Sequence, residues 1–404
     1  MGGLGIFAVI FGLSAGFVAF LQPTRLRFSL FVLAYLLHLM TAFAFYQIAQ
    51  SSPADADLYY YDPFKLAGDG FALGTQFIII FVQGIKSVYG GSYLDYFLLF
   101  QAFGFFGIAL LMRTFEEIHA ELGEPQRLWT YALLFLPSLH YWSSAIGKDA
   151  PFFFVTVLAL WSSMSIRRRL VPFGCAMLLM LLIRPHIAVL ALAAAAMTVL
   201  ADRSTRLWLR IVLAFVALVG AGYAVIGVMT TFNIDLTSAD AVSDRMAARE
   251  ELILTEDAGR SVVGGPLPVR MLSLLFRPFF FDARDLFGLL ASLENAVVML
   301  CVLTLVFRAR TTRALMRAVP YVRFALWFGG ALVLVLGFDY FNVGLGLRQK
   351  WTMIMPNILV LFVTVKALRA AREREQAAAP AVQPPWPPLR PAGGPERLTA
   401  GTAR

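Results

Sequence analysis

Residues 136–154 read LPSLHYWSSAIGKDAPFFF. Lys148 and Asp149 stand side by side between two strongly apolar runs, and runs of that kind recur along the whole chain. Of 404 residues, 59% are hydrophobic and 15% charged, whereas an ordinary soluble domain carries about 25% charged residues. The mean hydropathy is +0.72. This composition reads as an all-α integral membrane protein, with the IGKD turn lying at the edge of the bilayer.

Working outward from that turn, apolar spans fall near 4–22, 28–49, 94–112, 128–143, 151–166, 170–184, 187–201, 208–229, 285–307, 321–338 and 352–368. Eleven transmembrane helices are therefore expected, several of them shorter than the ~20 residues a full crossing takes. The run 71–83, FALGTQFIIIFVQ, is short and interrupted by Gly, Thr and Gln, and reads as a re-entrant or interfacial helix. No A-x-A-like cleavage site follows the first run, so it reads as a retained helix. Residues 1–370 form one membrane domain, and the Pro- and Ala-rich stretch 371–404 reads as a disordered tail. Cys175 and Cys301 lie far apart inside apolar runs and read as buried spacers.

The net charge of +9 would suggest nucleic acid in a soluble protein. Here the basic residues fall in short clusters between spans, so no nucleic-acid partner is expected. Every second loop is basic: Arg25 and Arg27, Arg113 and Arg127, Arg167 to Arg169, Arg203 to Arg210, Arg308 to Arg317, and Lys366 to Arg374. Because Lys and Arg are retained on the cytoplasmic side, the N-terminus is expected outside and the C-terminus inside.

The alternate loops hold the chemically informative residues, and an ionisable group at the edge of a span is a functional candidate. In DADLYYYDP, aromatic rings that could bind a sugar, Tyr59, Tyr60 and Tyr61, lie beside the carboxylates Asp55, Asp57 and Asp62. One of them could act as a general base, or the group could be a solvated loop beside an aromatic belt. Read as an extended segment, D-A-D would point Asp55 and Asp57 to one side. Asp149, just before Ala-Pro, fits a helix N-cap. Lys148 either reaches a phosphate at headgroup depth or snorkels. Arg184 and His186 flank a helix-breaking Pro185; the arginine either finishes a hairpin or serves the site, and the histidine fits a packed, hydrogen-bonded role.

Arg277 and Asp282 bracket the aromatic run of LFRPFFFDARD, which reads as an amphipathic segment on the membrane surface. Glu294 lies two to three turns inside the next span and needs a partner there, expected to be an Arg or Lys. Arg348 and Lys350 form a basic cluster on the outer side, against the positive-inside trend, and suit a phosphate or pyrophosphate. No metal-ligand spacing occurs. The reading assigns no cofactor and leaves room for a divalent cation beside a phosphate.

Taken together, DADLYYYDP, PSLHYWSSAIGKD, IRPH, LFRPFFFDARDLFGLLASLEN and NVGLGLRQKWTMIMP resemble the pattern of polytopic inner-membrane proteins of bacterial exopolysaccharide and O-antigen loci. The layout is similar to GT-C-type glycosyltransferases and polysaccharide polymerases. The resemblance implies a bacterial inner-membrane location and a polyprenyl-linked sugar or glycan as substrate at the outer face. It also implies other polysaccharide assembly proteins as partners. It assigns the acceptor hydroxyl to Asp55 or Asp57, and the donor phosphate to Lys148, Arg184 and Arg348. Two rivals stand beside it: a transporter or flippase of lipid-linked glycans, which would be expected to show repeats or midplane charges, and a non-catalytic subunit of an assembly complex.

Overall fold

The computed structural model describes residues 3–21, 25–52, 54–61, 73–123, 125, 128–201, 266–338, 340 and 343–378, with isolated positions between 207 and 222. Among them the chain is helical, with no strand. In order come α1 (Gly3–Phe20), α2 (Arg25–Ser51), the short α3 (Asp55–Tyr60), α4 (Thr75–Tyr89) and α5 (Tyr93–Glu121). Then follow α6 (Leu128–Ala132), a 3-10 turn, α7 (Pro137–Trp142), α8 (Asp149–Ser163), α9 (Leu170–Ile183) and α10 (Pro185–Leu200). The later part holds α11 (Leu267–Phe276), α12 (Leu286–Phe307), α13 (Ala309–Ala318), α14 (Pro320–Phe338), α15 (Val343–Gln349), a π turn at Lys350–Ile354 and α16 (Met355–Ala378).

Among the described residues, five helical stretches are long and apolar enough to cross a membrane: Phe28–Ser51, Tyr93–Glu121, Leu286–Phe307, Pro320–Phe338 and Val343–Ala377. Five shorter apolar helices accompany them. Large apolar side chains such as Met40, Phe43, Leu300 and Phe307 face outward. Such faces suit acyl chains rather than water. This is a helical membrane protein. The run 128–143, expected as one span, is instead three short pieces with Leu136 extended before Pro137, since proline disfavours helix at the residue before it. The run 208–229 lies largely outside the described residues. Cys301 is buried, but Cys175 is exposed on α9 rather than buried. Helix α16 continues to Ala378, beyond the expected start of the tail, and 379–404 lie outside the described residues.

The sequence sets helix starts locally. Ser92 and Asp95 cap α5 reciprocally, Asp285 accepts from Gly288 N at 2.7 Å at the start of α12, and Pro185 opens α10. Helix α5 is largely buried in the bundle and packs most extensively on α8. Glycine permits that approach: a Cβ on Gly107 would lie 2.6 Å from the Phe153 ring. Small residues at membrane helix contacts act this way, letting backbones close up.

The helices carry polar groups to two opposite ends. At one end, where α5 and α8 finish, Glu117 of α5 accepts from Arg113 Nε at 3.0 Å and Arg169 Nη2 at 2.8 Å, while Arg169 lies 3.9 Å over the Trp161 ring. Arg323 donates to Thr198 O at 3.0 Å nearby in the chain's antiparallel run of α10 and α14. The start of α8, the α9–α10 turn, α3 and α15 meet at the other end.

Candidate functional site

The turn between α9 and α10 puts Arg184 against the first residue of α8. Its Nη2 donates to Asp149 Oδ1 at 2.6 Å. Arg348, near the end of α15, donates from Nε to Asp149 Oδ2 and from Nη1 to Asp55 Oδ2. Asp149 therefore bridges two guanidinium groups, one through each oxygen, and Arg348 bridges two carboxylates. Four stretches far apart in sequence converge on these contacts.

Burial divides the cluster. Side-chain exposure is 7% for Asp149, 11% for Arg184, 22% for Arg348 and 58% for Asp55. The inner pair is a buried ion pair, and the outer one faces open space. Lys148 Nζ donates to Thr75 Oγ1 at 3.0 Å and has no carboxylate bonded to it among the described residues. Burial first, and the nearby Arg184 charge second, pull its ammonium down to about 8. His186, two residues after Arg184, is exposed rather than packed as expected, because it stands on the first turn of α10.

Tyr59 completes the wall. It is buried on α3, one turn after Asp55, and burial followed by the Asp149 charge pushes its phenol up to about 12. Gly147 passes close behind it at φ +140°, where a Cβ would sit 3.3 Å from the Tyr59 ring. Only glycine adopts that backbone readily, which explains the G before Lys148.

Among the described residues, spare donors remain in this cluster: Arg184 Nε is buried without a hydrogen-bond partner there, Arg348 bonds side chains through Nε and Nη1, and of an ammonium's three N–H groups Lys148 spends one. Among the described residues three cations, Lys148, Arg184 and Arg348, face two carboxylates, Asp55 and Asp149, so the cluster carries one more positive than negative group, with the exposed Asp55 carboxylate at its mouth.

Several expected site residues lie elsewhere. Asp55–Tyr60 is a helix, not an extended segment, so Asp57 turns away from Asp55; it accepts from Ala54 N at 3.0 Å and from Tyr93 Oη at 2.7 Å. Tyr60 donates to Gly91 O at 2.8 Å, beneath the Lys86 ammonium. Asp149 is not the cap: the helix starts at Asp149 itself, and the cap residue Lys148 makes no side-chain capping bond. Its charge still favours that helix terminus. Asp62 lies outside the described residues.

Lys350 is also separate from the cluster. It is fully buried, and its Nζ donates to Leu275 O at 3.2 Å, Arg277 O at 3.4 Å and Asn295 Oδ1. It ties the end of α11 to α12 and α16. Glu294 beside it holds Ser138, accepting from its backbone N at 2.7 Å and from its hydroxyl, so the carboxylate meets a helix start rather than the expected direct ion pair. Arg277 and Asp282 form their own two-bond pair at 2.9 and 2.8 Å. This pairing holds the Asp282 carboxyl below its usual range.

Sequence reasoning missed Thr75, and it named Tyr59 only together with Tyr60 and Tyr61. A helical reading of DADLYY would have singled out Tyr59, because Asp55 and Tyr59 then share a face at i, i+4. Compared with protein-family models, curated proteins and solved structures, the chain matches none.

Proposed function

We propose that this protein is a membrane glycosyltransferase or polysaccharide polymerase that takes a sugar from a polyprenyl phosphate or pyrophosphate in exopolysaccharide or O-antigen assembly. The observation that carries the reading is the convergence of Lys148, Arg184 and Arg348 with Asp55 and Asp149 at one end of the bundle. A lipid-linked sugar needs cations at headgroup depth, an apolar groove for the lipid and a carboxylate for the acceptor. The excess positive charge and spare donors suit a phosphate, the outward apolar helices suit a polyprenyl tail, and the exposed Asp55 suits the base.

In this reading the substrate's acceptor hydroxyl gives its proton to Asp55. Its oxygen bonds to the anomeric carbon as that carbon's bond to the phosphate oxygen breaks. The bonding pair leaves with the phosphate, whose growing charge Arg348, Arg184 and Lys148 stabilise. Such stabilisation is the largest catalytic contribution in many enzymes. Asp149 holds the two arginines in place. Eleven spans with the N-terminus outside and the C-terminus cytoplasmic would put this end at the periplasmic face of an inner membrane, with Arg113, Arg169 and Arg308 to Arg317 at the cytoplasmic face.

The test is glycan product in a deletion strain, normalised to the amount of each variant in the membrane. Arg348→Ala should lose nearly all product, and Arg348→Lys should be weakened, keeping charge but losing the fork. Lipid-linked precursor should then accumulate on the outer face. Accumulation on the inner face would move the transporter reading ahead, and full product from Arg348→Ala would sink the phosphate site.

A further inference from the structure

We propose that Asp55 occupies, in the ligand-free protein, the seat on Arg348 that the substrate's phosphate takes, so that binding of the phosphate itself releases the base. This rests on the function proposed above and names how that site is controlled.

The two carboxylates on Arg348 differ in kind. Asp149 is buried, shared with Arg184, and has both oxygens committed. Asp55 contributes one oxygen, its side chain is 58% exposed, and Arg348 is its one bonded partner among the described residues. Asp55 is not needed by its own helix: the α3 start is capped through Asp57 and Ala54. An exposed pair contributes little to stability, so breaking it costs little.

Phosphate and carboxylate are both accepted by the guanidinium fork. A phosphate arriving between Lys148 and Arg348 competes for Nη1 directly and adds contacts that Asp55 lacks, because among the described residues Lys148 keeps two donors and Arg184 Nε is unpaired. Asp55 then stands unpaired at the mouth of the site, one helical turn from the Tyr59 phenol. The carboxylate oxygen freed from the guanidinium is then open to accept from the acceptor hydroxyl. Without a bound donor, that oxygen stays engaged on Arg348.

The experiment measures binding by calorimetry to the purified full chain in lipid nanodiscs, with inorganic pyrophosphate in one arm and farnesyl phosphate in the other. Asp55→Asn should tighten binding about fivefold, the factor an exposed ion pair is worth, while glycan product falls. Glu373→Gln serves as a control for net charge: this carboxylate is equally exposed, at 58%, and pairs with Arg369 on the last helix. It should leave affinity unchanged. Tightening in both arms marks phosphate as the recognised group, and tightening with farnesyl phosphate alone marks the lipid-linked form; either supports the exchange. Unchanged or weaker binding by Asp55→Asn, or equal tightening by Glu373→Gln, overturns it while leaving the phosphate site standing. Failure of wild-type protein to bind either probe overturns the phosphate site and the exchange together.

Discussion

Asp149 and Asp55 hold the same arginine, and burial alone separates what their loss should cost. Asp149→Asn keeps the shape of the side chain and removes its charge, leaving Arg184 and Arg348 facing each other without the carboxylate between them. With exposures of 7% and 11% for Asp149 and Arg184, the loss falls in the class of broken buried pairs, about 3–5 kcal/mol. Asp55→Asn removes a pair that is 58% exposed on the carboxylate side, worth about 0–1 kcal/mol. A domain's whole stability is about 5–15 kcal/mol, so the first variant should be seriously weakened and the second nearly native. Thermal unfolding in detergent, followed by the fraction that stays monodisperse, should show a midpoint drop several times larger for Asp149→Asn. Adding Arg184→Gln to Asp149→Asn removes one stranded cation, and the double variant should be less destabilised than the sum of the singles by about 1 kcal/mol or more. Equal midpoints for the two aspartate variants, or strict additivity in the double, would refute the assignment of Asp149 as the buried bridge.

Anion binding should depend on pH through Lys148, whose ammonium is pulled down to about 8 by burial. Binding should be intact below that value and weaken as pH rises through it, with proton uptake on binding above pH 8; Lys148→Arg should flatten the profile in calorimetric titrations. The ligand-free protein behaves in the opposite sense, because the unfolded chain holds this proton up to about 10.5, so the group's contribution to stability rises between those two values. Cysteine labelling in intact cells should reach position 148 from outside and position 168 only from inside, and labelling both from the same side would break the orientation argument.

Helix existence and some helix starts could be read in the sequence, because they depend on neighbours only. Apolar run length, Ser92 with Asp95, Asp285 before its helix and Pro185 in the turn each act within a few residues. So could the grouping of the IGKD turn, the IRPH turn, Asp55 and Arg348 at one end, since alternation of basic loops assigns each loop to a side without any three-dimensional knowledge. The partner of each charge was decided by tertiary structure. Lys350 lies two residues from Arg348 yet serves the carbonyls of Leu275 and Arg277; Asp57 lies two residues from Asp55 yet bonds Tyr93; Tyr60 follows Tyr59 yet reaches Gly91. On a helix each residue advances by about 100 degrees, so two positions apart means nearly opposite faces. Which face meets the cluster depends on how the helix is rotated in the bundle, and that rotation is set by packing against helices hundreds of residues away in sequence.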